Sequence, residues 1–149
     1  ALAQGAGVIG RILWALCADR FGARPVLLGL GAMIIVAALA LAAAGPGWPV
    51  WLVIAVGMLM GATAVAWNGV LLAEIARVAP SGQVGGATAA MGVVFGATMV
   101  VMPSLFTLLV GWTGSYVPGF VMCAMTALVG LLSLVAGPGR AAAPPLPQR

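Results

Sequence analysis

The sequence predicts an all-α membrane protein with five transmembrane helices. Three observations carry that expectation. The 149 residues are 64% hydrophobic and only 5% charged, with a mean hydropathy of +1.22. A soluble domain carries about a quarter charged residues, so this chain cannot build an ordinary water-facing surface. No charged residue occurs from Pro25 to Ala73, and none from Val78 to Gly139. A helix crosses the hydrocarbon core with about 20 apolar residues, so each stretch holds two crossings. A fifth precedes Asp19. Within lipid every backbone N–H and C=O must be bonded inside its own segment, which makes helices the default.

The first span runs from about Ala1 to Ala18 and begins as if mid-helix. The opening "ALAQGAG" has neither Met nor the charged start of a cleaved signal, and the chain reads as a fragment of a longer protein, lacking its N-terminal part. The second span runs from Pro25 to Ala44 and stops at "GPGWP". The third starts near Pro49, stays apolar to Ala73 and continues as helix to about Val78. The fourth covers Val84 to Val110, and the fifth Val117 to Ala136. Gly57, Gly61, Ala64 and Asn68 on the third span, and Thr88, Gly92 and Gly96 on the fourth, repeat at helical spacing. Such stripes let helices approach closely in lipid. Residues 137–149, "GPGRAAAPPLPQR", hold too few large apolar side chains to pack and are expected to form a disordered cytoplasmic tail.

Loop chemistry alternates. "ADRFGAR" and "EIARVAPSGQ" are charged, whereas "GPGWP" and "GWTGSY" are not. Arg20, Arg24, Arg77, Arg140 and Arg149 therefore fall on one side, which the positive-inside rule makes the cytoplasm. Trp48, Trp51, Trp112 and Tyr116 fall on the other, as an interfacial aromatic belt does. The expected location is the cell membrane, multi-pass, with the C-terminus inside. The net charge of +4 is explained by this sidedness, so a nucleic-acid partner is not expected.

Chemistry-bearing residues are few. There is no His, and the two carboxylates, Asp19 and Glu74, stand 55 positions apart. Cys17 and Cys123 lie in apolar spans and read as small buried hydrophobes. No metal site, cofactor or catalytic residue is expected, and the chain is not read as an enzyme. Arg11 is the exception. It lies eight residues before Asp19, about 12 Å deeper along a helix, where half the hydrocarbon core is about 15 Å. An arginine near the midplane costs about 2.5 kcal/mol or more and faces a water-filled cavity in most proteins. Gln4 and Gly7 share its helix face, which is expected to be polar and open. Asn68, with Trp67, is a further cavity candidate on the third span.

The loop Asp19-Arg20-Phe21-Gly22-Ala23-Arg24 resembles the G-x-x-x-D-R-x-G-R-R signature of the major facilitator superfamily, found between transmembrane helices 2 and 3 or 8 and 9. Asp19, Arg20 and Gly22 match, Ala15 replaces the leading glycine, and Arg24 is the one basic residue that follows. "WNGVLLAEIARVAPSGQVGGATAAMGVVFGATMVVMPSLFTLLVGWTGSY" resembles helices 10 to 12 of the same superfamily, with Glu74 and Arg77 closing helix 10. The resemblance implies that residues 1–136 are helices 8–12 of a twelve-helix bundle, with the missing N-terminal half of the transporter and the lipid bilayer as partners. It implies that Asp19 caps a helix of the opposite half, and that Arg20 or Arg24 pairs with Glu74 as a latch broken and remade as the halves rock.

The resemblance also sharpens Arg11. Monocarboxylate porters, oxalate/formate exchangers and nitrate/nitrite porters carry an arginine eight residues before the loop acid, and it binds the substrate anion. Monocarboxylate porters place an Asp one turn earlier, where this chain has Gly7. The implied function is secondary active transport of a small organic or inorganic anion by alternating access, with Arg11, Gln4 and Asn68 at the substrate. The competing reading, a non-transport polytopic subunit with a structural or assembly role, accounts for the helices but not for Arg11.

Overall fold

The computed structural model describes residues 2–80 and 82–136, with side chains from residue 5 onward. The expected tail, residues 137–149, lies outside the described residues, as do Arg140 and Arg149. Among the described residues six helices follow in order: α1 (Leu2–Phe21), α2 (Ala23–Ala42), α3 (Val50–Ala64), α4 (Ala66–Val78), α5 (Val84–Thr113) and α6 (Val117–Ala136). No strand occurs among the described residues, as the bilayer's demand for internal hydrogen bonding requires.

Among the described residues four helical stretches are long and apolar enough to cross a membrane: Ala23–Ala42, Val50–Val78, Val84–Thr113 and Val117–Ala136. The expected first crossing is present as a 20-residue helix but is not among them. It carries Gln4, Arg11, Asp19 and Arg20, the residues to which the sequence assigns function. Chemistry has displaced apolarity there.

The expected third span is one apolar stretch but two helices. The regular hydrogen-bond pattern lapses at Val65, which keeps right-handed helical torsions (φ −95°, ψ −27°). Just before it Thr63, almost fully buried, turns its hydroxyl back to donate to the carbonyls of Leu59 at 2.8 Å and Met60 at 3.2 Å. Back-bonding of this kind perturbs a helix.

The charged loop is far tighter than the sequence implies. Asp19 and Arg20 belong to the last turn of α1, and Arg24 to the first turn of α2. Only Gly22 separates the helices. Its φ of 90° and ψ of 152° lie where only glycine is at ease. The Gly22 N–H donates to the Ala18 carbonyl at 2.9 Å, closing α1. Glycine thus buys a reversal in a single residue.

The core is small. Ala23, Val26, Leu27, Leu30, Ala66 and Val70 form one buried cluster, with Trp14, Cys17, Ala18, Trp67, Leu71 and Leu134 packed around it. It joins the end of α1, the start of α2, α4 and the end of α6. α5 buries no residue and is held by ring contacts: Phe95 on Trp67, centroids 6.5 Å apart, and Phe106 on Phe120 at 5.5 Å, both edge to face.

Candidate functional site

The site begins at a glycine seam. Gly7 and Gly10 on α1 are buried. A methyl group at Gly7 would stand 3.2 Å from the Gly61 carbonyl oxygen and 3.5 Å from the Val65 side chain. One at Gly10 would overlap the Ala62 carbonyl oxygen. α1 and α3 therefore touch backbone to backbone and run in the same direction. Gly7 is not part of an open polar face, as expected from its register with Arg11; it is closed against α3. Gly10 is a residue that the sequence reading missed. Its signal was the Gly7-x-x-Gly10 spacing, which reads as a close-approach motif only once a partner helix is known.

Arg11 lies at the margin of this seam. Four residues at about 100° each turn it about 40° from Gly7 and away from Gly10. It is exposed, and no hydrogen bond or ion pair joins it to any other described residue. The pairing of the seam fixes which margin this is. Gly10 faces Ala62, and Gly7 faces Gly61 and Val65. Passing from Gly10 to Gly7 and on to Arg11 around α1 is therefore matched on α3 by passing from Ala62 to Gly61 and beyond. The residues beyond Gly61 on that side are Gly57, Ala64 and Asn68. Asn68 follows Gly61 by seven residues, about 20° off in register, and Val65's helical torsions carry that register across the lapse. By register, Arg11 and Asn68 fall on the same side of the α1–α3 seam. Asn68 is half-buried, and its side chain bonds to no other described residue. Gln4 lies on α1, on the Arg11 strip by register; its side chain is outside the described set.

The loop motif is divided differently from the expectation. The ion pair that Glu74 makes among the described residues is with Arg77 of its own helix. Arg77, three residues on, holds it with two parallel bonds, Nε to Oε2 at 2.8 Å and Nη2 to Oε1 at 2.7 Å. It is the one ion pair among the described residues. The fork geometry is ideal and the partners are neighbours on one helix, so no long side chain has to be extended across a gap. Arg24 turns the other way. Its Nη2 donates to the carbonyls of Leu134 at 3.0 Å and Val135 at 3.4 Å, at the end of α6. The Arg20 guanidinium lies 6.0 Å from the Phe21 ring centroid, at the outer reach of a cation–π contact. Asp19 is exposed and bonds to no other described residue.

No group of three metal-ligating side chains occurs among the described residues. Arg11 brings a guanidinium with five donors to a helix that is otherwise largely apolar; a guanidinium is the side chain that matches an oxyanion with paired N–H···O bonds.

A family model described as Major Facilitator Superfamily matches residues 1–149. Comparison with curated proteins and with solved structures gives no match.

Proposed function

The chain belongs to the major facilitator superfamily, a family of transporters rather than enzymes, and from that premise we propose that it moves a small organic or inorganic anion across the cell membrane by alternating access. In this reading α1 to α6 are transmembrane helices 8–12, α3 and α4 together forming helix 10. The C-terminus lies in the cytoplasm. An N-terminal half of the same transporter completes the cavity, because transporter sites of this kind sit between two repeats near the midplane.

The observation that supports the anion is the place of Arg11. It lies mid-helix, about 12 Å inward from Asp19, on the same margin as Asn68, with its donors unspent on the described residues. Placing a cation there costs about 2.5 kcal/mol or more. A bound carboxylate or similar oxyanion returns that cost through a charge-assisted, two-point contact. Gln4 and Asn68 orient the rest of the ligand. An assembly subunit has no use for a charge at that depth.

The test is uptake of labelled acetate, oxalate and nitrate by the full-length transporter in liposomes. Arg11→Gln is expected to cut uptake of the transported anion at least about a hundredfold, the loss of a bidentate charged contact worth about 3 kcal/mol. Arg11→Lys keeps the charge but not the planar fork, so its affinity falls less. Normal uptake by Arg11→Gln would reject the anion reading.

A further inference from the structure

Trp67 stands next to Asn68 and is used differently. It is half-buried and packs on the buried cluster of Ala23, Val26, Leu27, Leu30, Ala66 and Val70. Successive residues of a helix diverge by about 100°, so whatever holds Trp67 also sets the direction of Asn68. On α5 Trp67 meets Phe95. The ring centroids lie 6.5 Å apart and the planes stand at 72°, the edge-to-face arrangement that aromatic rings favour.

The level of this contact gives it a role. α5 buries no residue, and over residues 92–101 every residue but Phe95 is exposed. At that height α5 leans on the bundle through one ring. Phe95 lies eleven residues from Val84, where α5 begins, and Asn68 ten residues from Val78, where α4 ends. Both are therefore about 15–17 Å in from the connection between the two helices. The seam pairs Gly10 with Ala62, which puts Arg11 within about 8 Å of Asn68 in height. The regular hydrogen-bond pattern lapses at Val65, two residues before Trp67, so the backbone restrains α4 less there and a side-chain contact counts for more.

We propose that Trp67 and Phe95 are positioning residues for the anion site. The ring pair holds α5 against α4 at the height of Asn68, and it keeps the Asn68 carboxamide turned toward the side on which Arg11 lies. A binding group that is about 1 Å too loose loses much of its effect. The inference rests on the proposed transport of an anion, but one arm of its test does not. The second ring pair of α5, Phe106 on Phe120 at 5.5 Å, is the control. It has the same chemistry, about 16 Å further along α5 and beyond Pro103.

The first arm is uptake by the full-length transporter in liposomes, using whichever of labelled acetate, oxalate and nitrate the parent carries. Trp67→Ala is expected to raise the apparent KM about fivefold, the scale of one edge-to-face pair, with a smaller change in maximal rate. Trp67→Phe, which keeps a ring, should recover part of the loss. Adding Phe95→Ala to Trp67→Ala should do little more, because the shared contact is already gone. Phe106→Ala should leave KM unchanged. An unchanged KM for Trp67→Ala, the same rise for Phe106→Ala, or additive effects of Trp67→Ala and Phe95→Ala would overturn the proposal. No uptake of any of the three anions by the parent would count against the transport reading, and the second arm then decides alone. That arm measures the distance distribution between spin labels at Leu72→Cys on α4 and Val93→Cys on α5, both exposed positions, in nanodiscs and with Cys17 and Cys123 replaced by Ala. Trp67→Ala is expected to broaden the distribution and Phe106→Ala to leave it as it is. The exchange of Trp67→Phe with Phe95→Trp, which rebuilds the pair, should return the parent's distribution. If Trp67→Ala does not insert, Phe95→Ala, which leaves the buried cluster intact, takes its place in both arms. A distribution that stays the same when the ring pair is lost would overturn the proposal.

Discussion

Replacing Gly10 by Ala probes the seam that sets the direction of Arg11. The added methyl would overlap the Ala62 carbonyl oxygen and press on the Ala62 Cα at 3.0 Å and carbonyl carbon at 3.1 Å. Ordinary contacts between carbon atoms sit at about 3.5–4.0 Å. The obstructing atoms are backbone, so no rotamer change relieves them, and α1 must move off α3 by roughly half an ångström. Overpacking of this kind costs about 1–3 kcal/mol. Against it, Ala gains about 1 kcal/mol over Gly in helix propensity. That gain is common to every mid-helix glycine, so it can be subtracted. Gly29 of α2 has nothing within 4 Å of its would-be Cβ, and Gly29→Ala isolates the propensity gain. Gly7→Ala is intermediate, since it meets the Gly61 oxygen at 3.2 Å. The expected order of stability is Gly29→Ala, then Gly7→Ala, then Gly10→Ala, with the extremes about 2 kcal/mol apart. Thermal unfolding of the three full-length variants in one detergent measures it. Equal midpoints for Gly10→Ala and Gly29→Ala would refute the backbone contact, and with it the argument that places Arg11 on the Asn68 margin.

Two other substitutions separate local strain from function. Gly22→Ala forces an L side chain to adopt φ 90°, at a cost of about 1–3 kcal/mol, and should lower the unfolding midpoint although a methyl group there meets only the Pro25 Cδ, at 3.9 Å. Glu74→Gln breaks an exposed local ion pair worth about 1 kcal/mol at most, so stability should hardly change. If Glu74 also takes part in the transport cycle, the same variant changes the maximal rate of uptake while leaving the apparent affinity within about twofold, less than about 0.5 kcal/mol. Unchanged rate and affinity would exclude Glu74 from the transport cycle.

The helices were legible in the sequence because the bilayer permits so little else. Apolar run length alone sets α2, α5 and α6 to within a few residues of their bounds, and α6 as Val117–Ala136. The α1–α2 connection was less legible, because its seven residues, all but Phe21 polar or small, look like a loop. Six of them are in fact helical, and one glycine in an unusual conformation makes the turn. The lapse at Val65 was hidden for a related reason. A buried threonine bonding its own helix leaves no mark on hydropathy. Arg11 and Asn68 could be singled out by depth, yet not joined. Their common margin follows from which glycines touch, and Gly7 and Gly10 look no different in sequence from Gly92 and Gly96. The partner of Glu74 was not legible either, because a motif gives residue types without distances; Glu74 has Arg77 three residues away on its own helix, a partner the expected latch did not include.

Gly92 and Gly96 raise a question that the larger side chains do not. Val93, Val94 and Val100 of α5 are 74%, 60% and 70% exposed. In water such a face would be an aggregation hazard. In lipid it matches its solvent, and no neighbour is implied, since lipid tails are as apolar as leucine. Small residues behave differently. They give lipid little to pack on, and their value in a membrane lies in letting another backbone come close. Gly7 and Gly10 are used in that way. Gly92 and Gly96 are not: a Cβ on either would meet nothing within 4 Å. The two sets are alike in composition and opposite in surroundings. Under the proposed function this difference has one cause. The α1–α3 seam lies within a single repeat and is complete in this chain. On that proposal the bare strip of α5 is read as part of the face turned toward the central cavity and the other repeat, where a helix must be able to approach and withdraw without a side chain in the way.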